Sequence, residues 1–168
     1  MDSVMTTPEQ RATAFREVMA GVCTPVSVVT AMDGDRPHGT TVSAFASLSL
    51  NPPMVLVALD RESDLLALVR RSDRFGVNVL ADGQSALAKQ FARKGPAKFH
   101  GVRWWPAGGL PRLDGASGWL ACEVSGLVDG GDHVIAIGAI LDADARGSAP
   151  LTYHQRRFGT HTAFRGQP

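Results

Sequence analysis

Residues 36–53 read R-P-H-G-T-T-V-S-A-F-A-S-L-S-L-N-P-P. From Thr41 to Leu50, apolar and mostly hydroxyl-bearing residues alternate, and a period of two predicts a single β strand. The apolar face, which is predicted to be buried, comprises Val42, Ala44, Ala46, Leu48 and Leu50. The opposite face comprises Thr41, Ser43, Phe45, Ser47 and Ser49. Small hydroxyl side chains let a flat polar ligand approach the backbone, although such a face also commonly meets water.

The segments around this stretch predict further antiparallel strands. Residues 25–31 read as a strand, and Asp33-Gly34 is a hairpin signal that makes this strand a neighbour of the central stretch. Asn51-Pro52-Pro53 interrupts the pairing, after which residues 54–59 form a continuous apolar run typical of a central strand. Further strands are predicted at residues 75–80, 118–128 and 133–141, the last two joined by a turn at Gly130-Gly131-Asp132.

Three short helices are predicted between the strands. The first begins at the capping box Thr7-Pro8-Glu9-Gln10 and ends near Gly21. The second is capped by Ser63, and the loop before it offers free amides. The third follows Asp82-Gly83. One apolar face is predicted for each helix, formed by Ala12, Phe15, Val18 and Met19; by Leu65, Leu66, Leu68 and Val69; and by Leu87, Ala88, Phe91 and Ala92.

Together these elements predict a mostly antiparallel β barrel of Greek-key type with helices packed outside it. The length of 168 residues predicts one domain, with flexible ends at 1–10 and 165–168. The segment from Trp104 to Ala116 is rich in glycine and proline and is predicted to be an ordered loop.

Composition excludes several classes of function. A formal net charge of +1 disfavours a nucleic-acid or membrane partner. The N-terminus lacks the pattern of a signal peptide, so we expect a cytoplasmic protein. Cys23 and Cys122 lie apart in apolar surroundings, which predicts buried thiols and no metal site. Rossmann, P-loop, zincin and hydrolase-elbow motifs are absent, and nothing in the sequence groups a hydrolytic triad.

A basic run and a turn histidine remain as candidates for binding. Arg93, Lys94 and Lys98 place three cations within six residues, which could hold a phosphate, although short basic runs are more often solvated surface. His133 follows the predicted Gly131-Asp132 turn, where a histidine is most often an exposed polar residue.

An ordered set of short motifs resembles the short-chain flavin reductase family, over nearly the whole chain from about Phe15 to Phe164. The motifs are P-H-G-T-T-V-S-A-F, S-L-S-L-N-P-P, F-G-V-N-V-L, Q-F-A-R-K-G-P-A-K-F-H-G-V, L-D-G-A, G-G-D-H and P-L-T-Y. The family consists of flavin-binding split barrels, typified by the reductase partners of two-component monooxygenases. Thr40 stands where relatives often have a more apolar residue.

The resemblance implies a cofactor site assembled from several segments. The residues implied to lie along the flavin ring are His38, Gly39, Thr40, Thr41, Ser43 and Ala44. Those implied near the flavin side chain and its phosphate are Ala58, Leu59, Asp60, Arg61, Glu62, Ser63, Ala92, Arg93, Lys94 and Lys98. Those implied near the nicotinamide are His133, in a catalytic position, and Tyr153, His154, Gln155 and Arg156.

The resemblance further implies hydride transfer from NADH or NADPH to FMN or FAD, with the protein positioning two rings and His133 acting as a positioning or electrostatic group. It implies a homodimer and a separate flavin-dependent monooxygenase that receives the reduced flavin. Two other classes remain open: a flavoprotein that keeps FMN tightly and acts on its own small substrate, and a non-catalytic flavin-binding module.

Overall fold

Twelve β strands and three α helices form the described part of the chain, residues 7–164 and 166, in this computed structural model. The helices are α1 (Pro8–Ala20), α2 (Asp64–Ser72) and α3 (Ser85–Phe91). The strands are β1 (Thr24–Pro25), β2 (Ser27–Asp33), β3 (Arg36–Val42), β4 (Phe45–Leu50), β5 (Pro53–Asp60), β6 (Arg74–Val79), β7 (Trp104–Ala107), β8 (Leu110–Leu113), β9 (Gly118–Gly130), β10 (His133–Ala145), β11 (Leu151–His154) and β12 (Arg157–Thr160). Short 3₁₀ turns lie at Asp82–Gln84 and Pro96–Phe99.

Seven strands form one antiparallel sheet in the order β3-β2-β6-β9-β10-β5-β4. The two ends of this sheet lie close together. Strand β3 also contacts β5, and the amide of Ala58 donates to the carbonyl of Ala44 at 2.9 Å. A small sheet, β1-β11-β12, and the hairpin β7-β8 complete the strands. The predicted mostly antiparallel barrel is therefore confirmed, as are the β2–β3 pairing and the closing β9–β10 hairpin.

Helix α2 packs against the barrel, and its start and its buried face are both set by local sequence. The Ser63 hydroxyl accepts a hydrogen bond from the amide of Leu66 at 3.1 Å and caps the helix as predicted. The four residues of its predicted apolar face, Leu65, Leu66, Leu68 and Val69, are all buried. They join a core cluster with residues of β2, β5, β6 and β10, in which Val29, Val57 and Phe75 are fully buried. Each fully buried side chain of this kind contributes about 1.5–3 kcal/mol.

A second cluster packs α3 against β2 and the β7–β8 hairpin. Phe91 is fully buried and meets the ring of Phe99 edge-on, with centroids 4.9 Å apart. Phe99 in turn meets Trp104 at 5.7 Å. The predicted stripe of α3 is confirmed for Ala88 and Phe91, whereas Ala92 caps the helix and is exposed.

A buried polar network joins the hairpin to the barrel. The amide nitrogen of Asn78 lies 3.3 Å from the carbonyl oxygens of Val28 and Pro111 and from the hydroxyl of Thr30, and its amide oxygen accepts from the amide of Leu113 at 2.8 Å. The Thr30 hydroxyl donates to the Pro111 carbonyl at 2.8 Å. Because buried polar groups are costly when unpaired, this network specifies how β8 docks on β2 and β6.

The single strand predicted for residues 41–50 is wrong. The chain leaves β2 after Val42, bends at Ser43 and Ala44, and pairs with β5 from Phe45 onward. Within β4 the register shifts between Ser47 and Ser49, where β4 contains one more residue than its partner β5. Of the predicted buried face, only Val42 is buried; Ala44, Ala46, Leu48 and Leu50 are exposed. Apolar and polar residues do alternate in the sequence, but because of the bend at Ser43 and Ala44 and the register shift in β4, the apolar residues do not share one buried face.

Three smaller expectations also need correction. Helix α1 has the predicted capping box and ends at Gly21, but none of its residues is buried, and Phe15 and Val18 on its apolar face are 64% and 68% exposed. Cys122 is buried as predicted, whereas Cys23 is exposed because it follows this uncovered helix. The predicted loop after Trp104 contains the β7–β8 hairpin.

Of the ends predicted to be flexible, residues 1–6, 165, 167 and 168 lie outside the described residues, and residues 8–10 belong to α1. In the described part of the chain, no helix is long and apolar enough to cross a membrane.

Candidate functional site

A cavity of about 360 Å³, here called the phosphate cavity, lies where β3, the end of β5, the start of α2 and the 92–98 loop meet. Its lining residues are His38, Thr40, Asp60, Glu62, Ser63, Asp64, Leu65, Ala92, Arg93, Lys94, Gly95 and Lys98. The fold thus brings the basic run next to the cap of α2, although 29 positions separate Ser63 from Ala92 in the sequence. The cavity is lined by three carboxylates as well as three cations, and the cations together with the Ser63 hydroxyl suit a phosphate.

Lys98 is the best-anchored cation of the phosphate cavity. Its ammonium donates to the carbonyl of Gly39 at 3.2 Å and to the hydroxyl of Thr40 at 3.4 Å. Burial lowers the pKa of Lys98, and the nearby Asp64 carboxylate opposes that shift. The side chain of Gln90 donates to the carbonyls of Lys98 and His100, at 2.8 and 3.0 Å, and so holds the loop in place. Sequence reasoning missed Gln90, which lies inside the Q-F-A-R-K-G motif.

Two of the expected free amides before α2 are already engaged. The amide of Ser63 donates to the carbonyl of Asp60 at 3.0 Å, and the amide of Glu62 donates to the Asp60 carboxylate at 2.8 Å. The expectation of free donors is therefore wrong for these two groups. The Ser63 hydroxyl accepts from Leu66, which leaves its own proton available to a ligand.

His38, on β3, lines the phosphate cavity. Burial lowers the pKa of His38, and the positive charge of Lys98 adds to that effect; both favour the neutral imidazole. Its Nδ1 atom is buried and has no hydrogen-bond partner among the described residues. A ligand bound in the cavity could supply the hydrogen bond that the Nδ1 atom of His38 lacks.

A second cavity of about 200 Å³, the ring cavity, adjoins the first and shares Thr40, Asp60 and Ser63 with it. Its other lining residues are Thr41, Val42, Ser43, Ala44, Ala58, Leu59 and His133. The Thr41 hydroxyl donates to the carbonyl of Ala88 at 2.6 Å, which ties β3 to α3 and leaves the oxygen as an acceptor.

His133 opens β10 and lies opposite Asp60 of β5 in the sheet register. Its Nδ1 is 2.8 Å from a carboxylate oxygen of Asp132, and this hydrogen bond lowers the pKa of Asp132. Because Asp132 accepts, Nδ1 carries the proton, and Nε2 is the acceptor in the neutral imidazole.

A third cavity of about 620 Å³ borders the ring cavity and shares Thr41 and Ser43 with it. Its lining also includes Val26, Ala88, Lys89, Ala92, Tyr153, Arg156, Arg157 and Phe158. The rings of Tyr153 and Phe158 are 5.1 Å apart, and the ammonium of Lys89 lies 5.8 Å from the Phe158 ring. Lys89, Arg157 and Phe158 were not predicted, and no motif in the sequence signals them.

Four of the predicted site residues line none of these three cavities. Gly39 offers its carbonyl to Lys98, and a Cβ there would lie 3.0 Å from the Phe91 ring. Arg61 contacts the β9–β10 turn instead. His154 is the last residue of β11, and Gln155 lies in the β11–β12 turn, where its backbone amide donates to the carbonyl of Ala20 at 2.7 Å. The remaining seventeen predicted residues line at least one of the three cavities, which adjoin one another through shared residues.

Comparison with known proteins gives a consistent result. The family model described as "Flavin reductase like domain" matches residues 19–162. The reductase component of 4-nitrophenol 4-monooxygenase/4-nitrocatechol 2-monooxygenase from Rhodococcus opacus is 36% identical over 151 residues, which are 90% of this chain and 82% of that protein.

Solved structures of proteins with related names are also similar to nearly the whole chain. Nitrilotriacetate monooxygenase component B from Mycobacterium thermoresistibile superposes with a TM-score of 0.89 at 30% identity, covering 96% of this chain and 93% of that one. The NADH:FAD oxidoreductase of Streptomyces globisporus C-1027, in complex with NAD and FAD fragments, gives 0.86 at 30% identity, covering 98% of this chain and all of that one. With a family model over most of its length and relatives at this similarity, the chain belongs to the flavin reductase-like domain family.

Proposed function

We propose that the protein is a NAD(P)H:flavin oxidoreductase that reduces FMN or FAD and passes the reduced flavin to a separate monooxygenase. The observation that carries this proposal is that the ring cavity adjoins the phosphate cavity and shares Thr40, Asp60 and Ser63 with it. The ring cavity offers hydroxyls and backbone beside a histidine, and the phosphate cavity offers three cations and a hydroxyl beside three carboxylates. That combination suits a flat polar ring joined to a phosphate.

The donor set fits a flavin nucleotide. When bound, the flavin supplies the redox chemistry by accepting a hydride from the reduced nicotinamide. Ser63, Arg93, Lys94 and Lys98 would hold the phosphate, with Lys98 already oriented by Gly39 and Thr40. The segment from Thr40 to Ala44 would orient the ring through its backbone and hydroxyls.

His133 would orient the nicotinamide rather than transfer a proton. Asp132 fixes the imidazole through Nδ1, so that Nε2 can accept a hydrogen bond from a carboxamide. Tyr153 and Arg156 would form the far wall, in the third cavity. These groups position a second ring and exclude water from the space between the two.

We propose further that two copies of the chain form a homodimer. The outward face of β5 and β10 is apolar and only half-buried along Met54, Leu56, Ala58, Ile135 and Ile137, while the inward face is fully buried. Strands that are apolar on both faces are normally covered on both. Ala58 and His133 also line the ring cavity, so a partner on this face would lie beside the flavin site.

The proposed interface can be tested directly. Ile137→Lys places a charge in the middle of this face and is expected to shift the protein from dimer to monomer in light scattering after gel filtration. Glu123→Lys, on an exposed position of β9, is the control. A monomeric wild-type protein would contradict the homodimer.

NADH is made and used in the cytoplasm, which is the compartment proposed for the reaction.

The activity is tested by following oxidation of NADH or NADPH by the purified protein with and without added FMN or FAD. Oxidation that requires added flavin is the expected result, and Lys98→Gln should raise the flavin concentration needed, whereas Arg70→Gln on the exposed side of α2 should not. Flavin that stays bound through gel filtration would favour a flavoprotein with its own substrate. Flavin binding without nicotinamide oxidation would favour a non-catalytic module.

A further inference from the structure

Beyond the phosphate cavity lies a further cavity of about 370 Å³, here called the adjacent cavity, between the β2–β3 hairpin and α2. Its lining residues are Asp33, Arg36, Pro37, His38, Asp64, Ala67, Leu68, Arg71, Gly95 and Pro96. His38, Asp64 and Gly95 line both cavities. A ligand could therefore extend from one into the other without leaving the protein surface.

Gly95 lines both cavities. Apart from Gly95 and its two chain neighbours, no heavy atom of the described residues lies within 4 Å of the position that a Cβ would take there, and the residue has a φ of +105°, in the region that favours glycine. The backbone at this point can therefore lie close to an extended ligand without a side chain in the way.

Charges of both signs line the adjacent cavity. One carboxylate oxygen of Asp33 is 2.9 Å from Arg36 and the other is 3.4 Å from Arg71, so Asp33 holds both guanidinium groups at the cavity. These two arginine side chains are 68% and 63% exposed, which leaves their planar faces free. Asp64 adds a carboxylate, while Pro37, Ala67, Leu68 and Pro96 provide apolar wall.

The lining of the adjacent cavity combines guanidinium groups, carboxylates and apolar side chains, so it suits more than a simple anion. Guanidinium groups bind phosphate and stack on aromatic rings, carboxylates accept hydrogen bonds from ribose hydroxyls and from an adenine amino group, and the apolar wall suits the face of a base. An adenosine monophosphate group uses all three.

We propose that the adjacent cavity binds the adenosine monophosphate half of FAD, so that the protein prefers FAD to FMN. The inference rests on the proposed function, because it requires the flavin phosphate to lie in the phosphate cavity. The pyrophosphate then passes Gly95 between Lys98 on one side and Arg71 on the other. FMN ends before the adjacent cavity and gains nothing from it.

The test is isothermal titration calorimetry of the purified protein with FAD and with FMN, in the absence of nicotinamide. Wild-type protein is expected to bind FAD about tenfold more tightly than FMN. Ala67→Trp fills the adjacent cavity from an exposed position of α2 and is expected to remove this preference, while it changes FMN affinity by less than about twofold. Arg70→Trp, the matched control, adds the same side chain to the same helix outside the cavity.

Thermal unfolding of each variant separates a local effect from loss of the fold, and Arg71→Ala provides a second variant that removes a contact without adding bulk. Equal affinity of the wild-type protein for FAD and FMN would overturn the inference and leave the proposed function standing. So would an Ala67→Trp protein that keeps its FAD preference, or one that binds FAD normally but has a raised KM for NADH. Failure to bind either flavin would overturn the proposed function as well.

Discussion

The guanidinium of Arg61 donates two hydrogen bonds to the carbonyl of Gly131, at 3.3 Å from Nε and 3.2 Å from Nη2. The same side chain pairs with Asp129 at 2.9 Å, and its own amide donates to the carbonyl of Asp132 at 3.0 Å. Arg61 therefore fastens the end of β5 to the turn that precedes His133. The resemblance implies a place at the cofactor for Arg61; from its contacts with the turn we expect a positioning role instead.

Replacing Arg61 with Ala is expected to lower kcat/KM for NADH about fivefold, because loss of hydrogen bonds worth about 1 kcal/mol loosens the turn that carries His133. Flavin affinity measured by calorimetry and the melting temperature should change little. Arg61→Lys keeps the charge near Asp129 but not the double hydrogen bond, so it should recover only part of the activity. A matching loss of flavin affinity would instead place Arg61 at the cofactor.

Flavin binding should weaken at alkaline pH because of Lys98. Burial lowers the pKa of this ammonium, so the group loses its charge at a lower pH than an ordinary lysine does. The positive form binds phosphate, and the affinity for FMN relative to riboflavin is expected to fall as pH rises through the Lys98 pKa. In Lys98→Arg the cation persists, and the ratio should stay flat over the same range. Parallel pH profiles of the wild-type and Arg proteins would contradict a phosphate-binding role.

The two thiols should react at very different rates. Burial raises the pKa of Cys122 to about 12, which leaves almost no thiolate at neutral pH, whereas Cys23 is exposed. Mass spectrometry after brief treatment of the folded protein with iodoacetamide should find the label on Cys23, and both residues should be labelled in denaturant. Rapid labelling of Cys122 in the folded protein would mean that the β9–β10 sheet opens readily.

Arg112 is expected to contribute to stability through stacking as well as charge. Its guanidinium carbon lies 5.3 Å from the ring centroids of both Trp105 and Trp119, and it pairs with Asp144. Arg112→Lys keeps a positive charge but loses the planar group between the rings, which should reduce the free energy of unfolding by about 1–2 kcal/mol. Urea unfolding measures the difference. Arg103→Lys is the control, because the Arg103 side chain is 87% exposed and its ion pair with Asp114 lies near the surface.

Much of the architecture could be predicted because its signals are local. Capping at Thr7 and Ser63, the apolar run of β5 and the turn at Gly131 each depend on a few neighbouring residues. The failures involve partners distant in the sequence. Nothing near Phe45 shows that the strand changes partner there, and nothing in α1 shows that its apolar face stays uncovered.

In the candidate site, too, local motifs could be recognised from the sequence, whereas contacts between distant segments could not. The motif resemblance located the segments, and the fold brings Ser63, Lys98 and His133 around connected cavities. It did not separate residues that line a cavity from residues that support one, as Arg61 and Gln90 show. Only the path of the backbone determines which way a side chain in a motif points.

The buried network around Asn78 bears on how this protein can evolve. Asn78 and Thr30 are fully buried and bond to β8, and neither lines the cavities proposed to bind nucleotides, whose polar side chains come largely from loops and strand ends. The side chains of the 92–98 loop and of the exposed side of α2 share no hydrogen-bond partner with Asn78 or Thr30 among the described residues, and substitutions without shared partners add their effects nearly independently. Descendants of this sequence can therefore acquire a different nucleotide preference through the 92–98 loop and the exposed side of α2, while the inherited Asn78 network keeps the barrel folded.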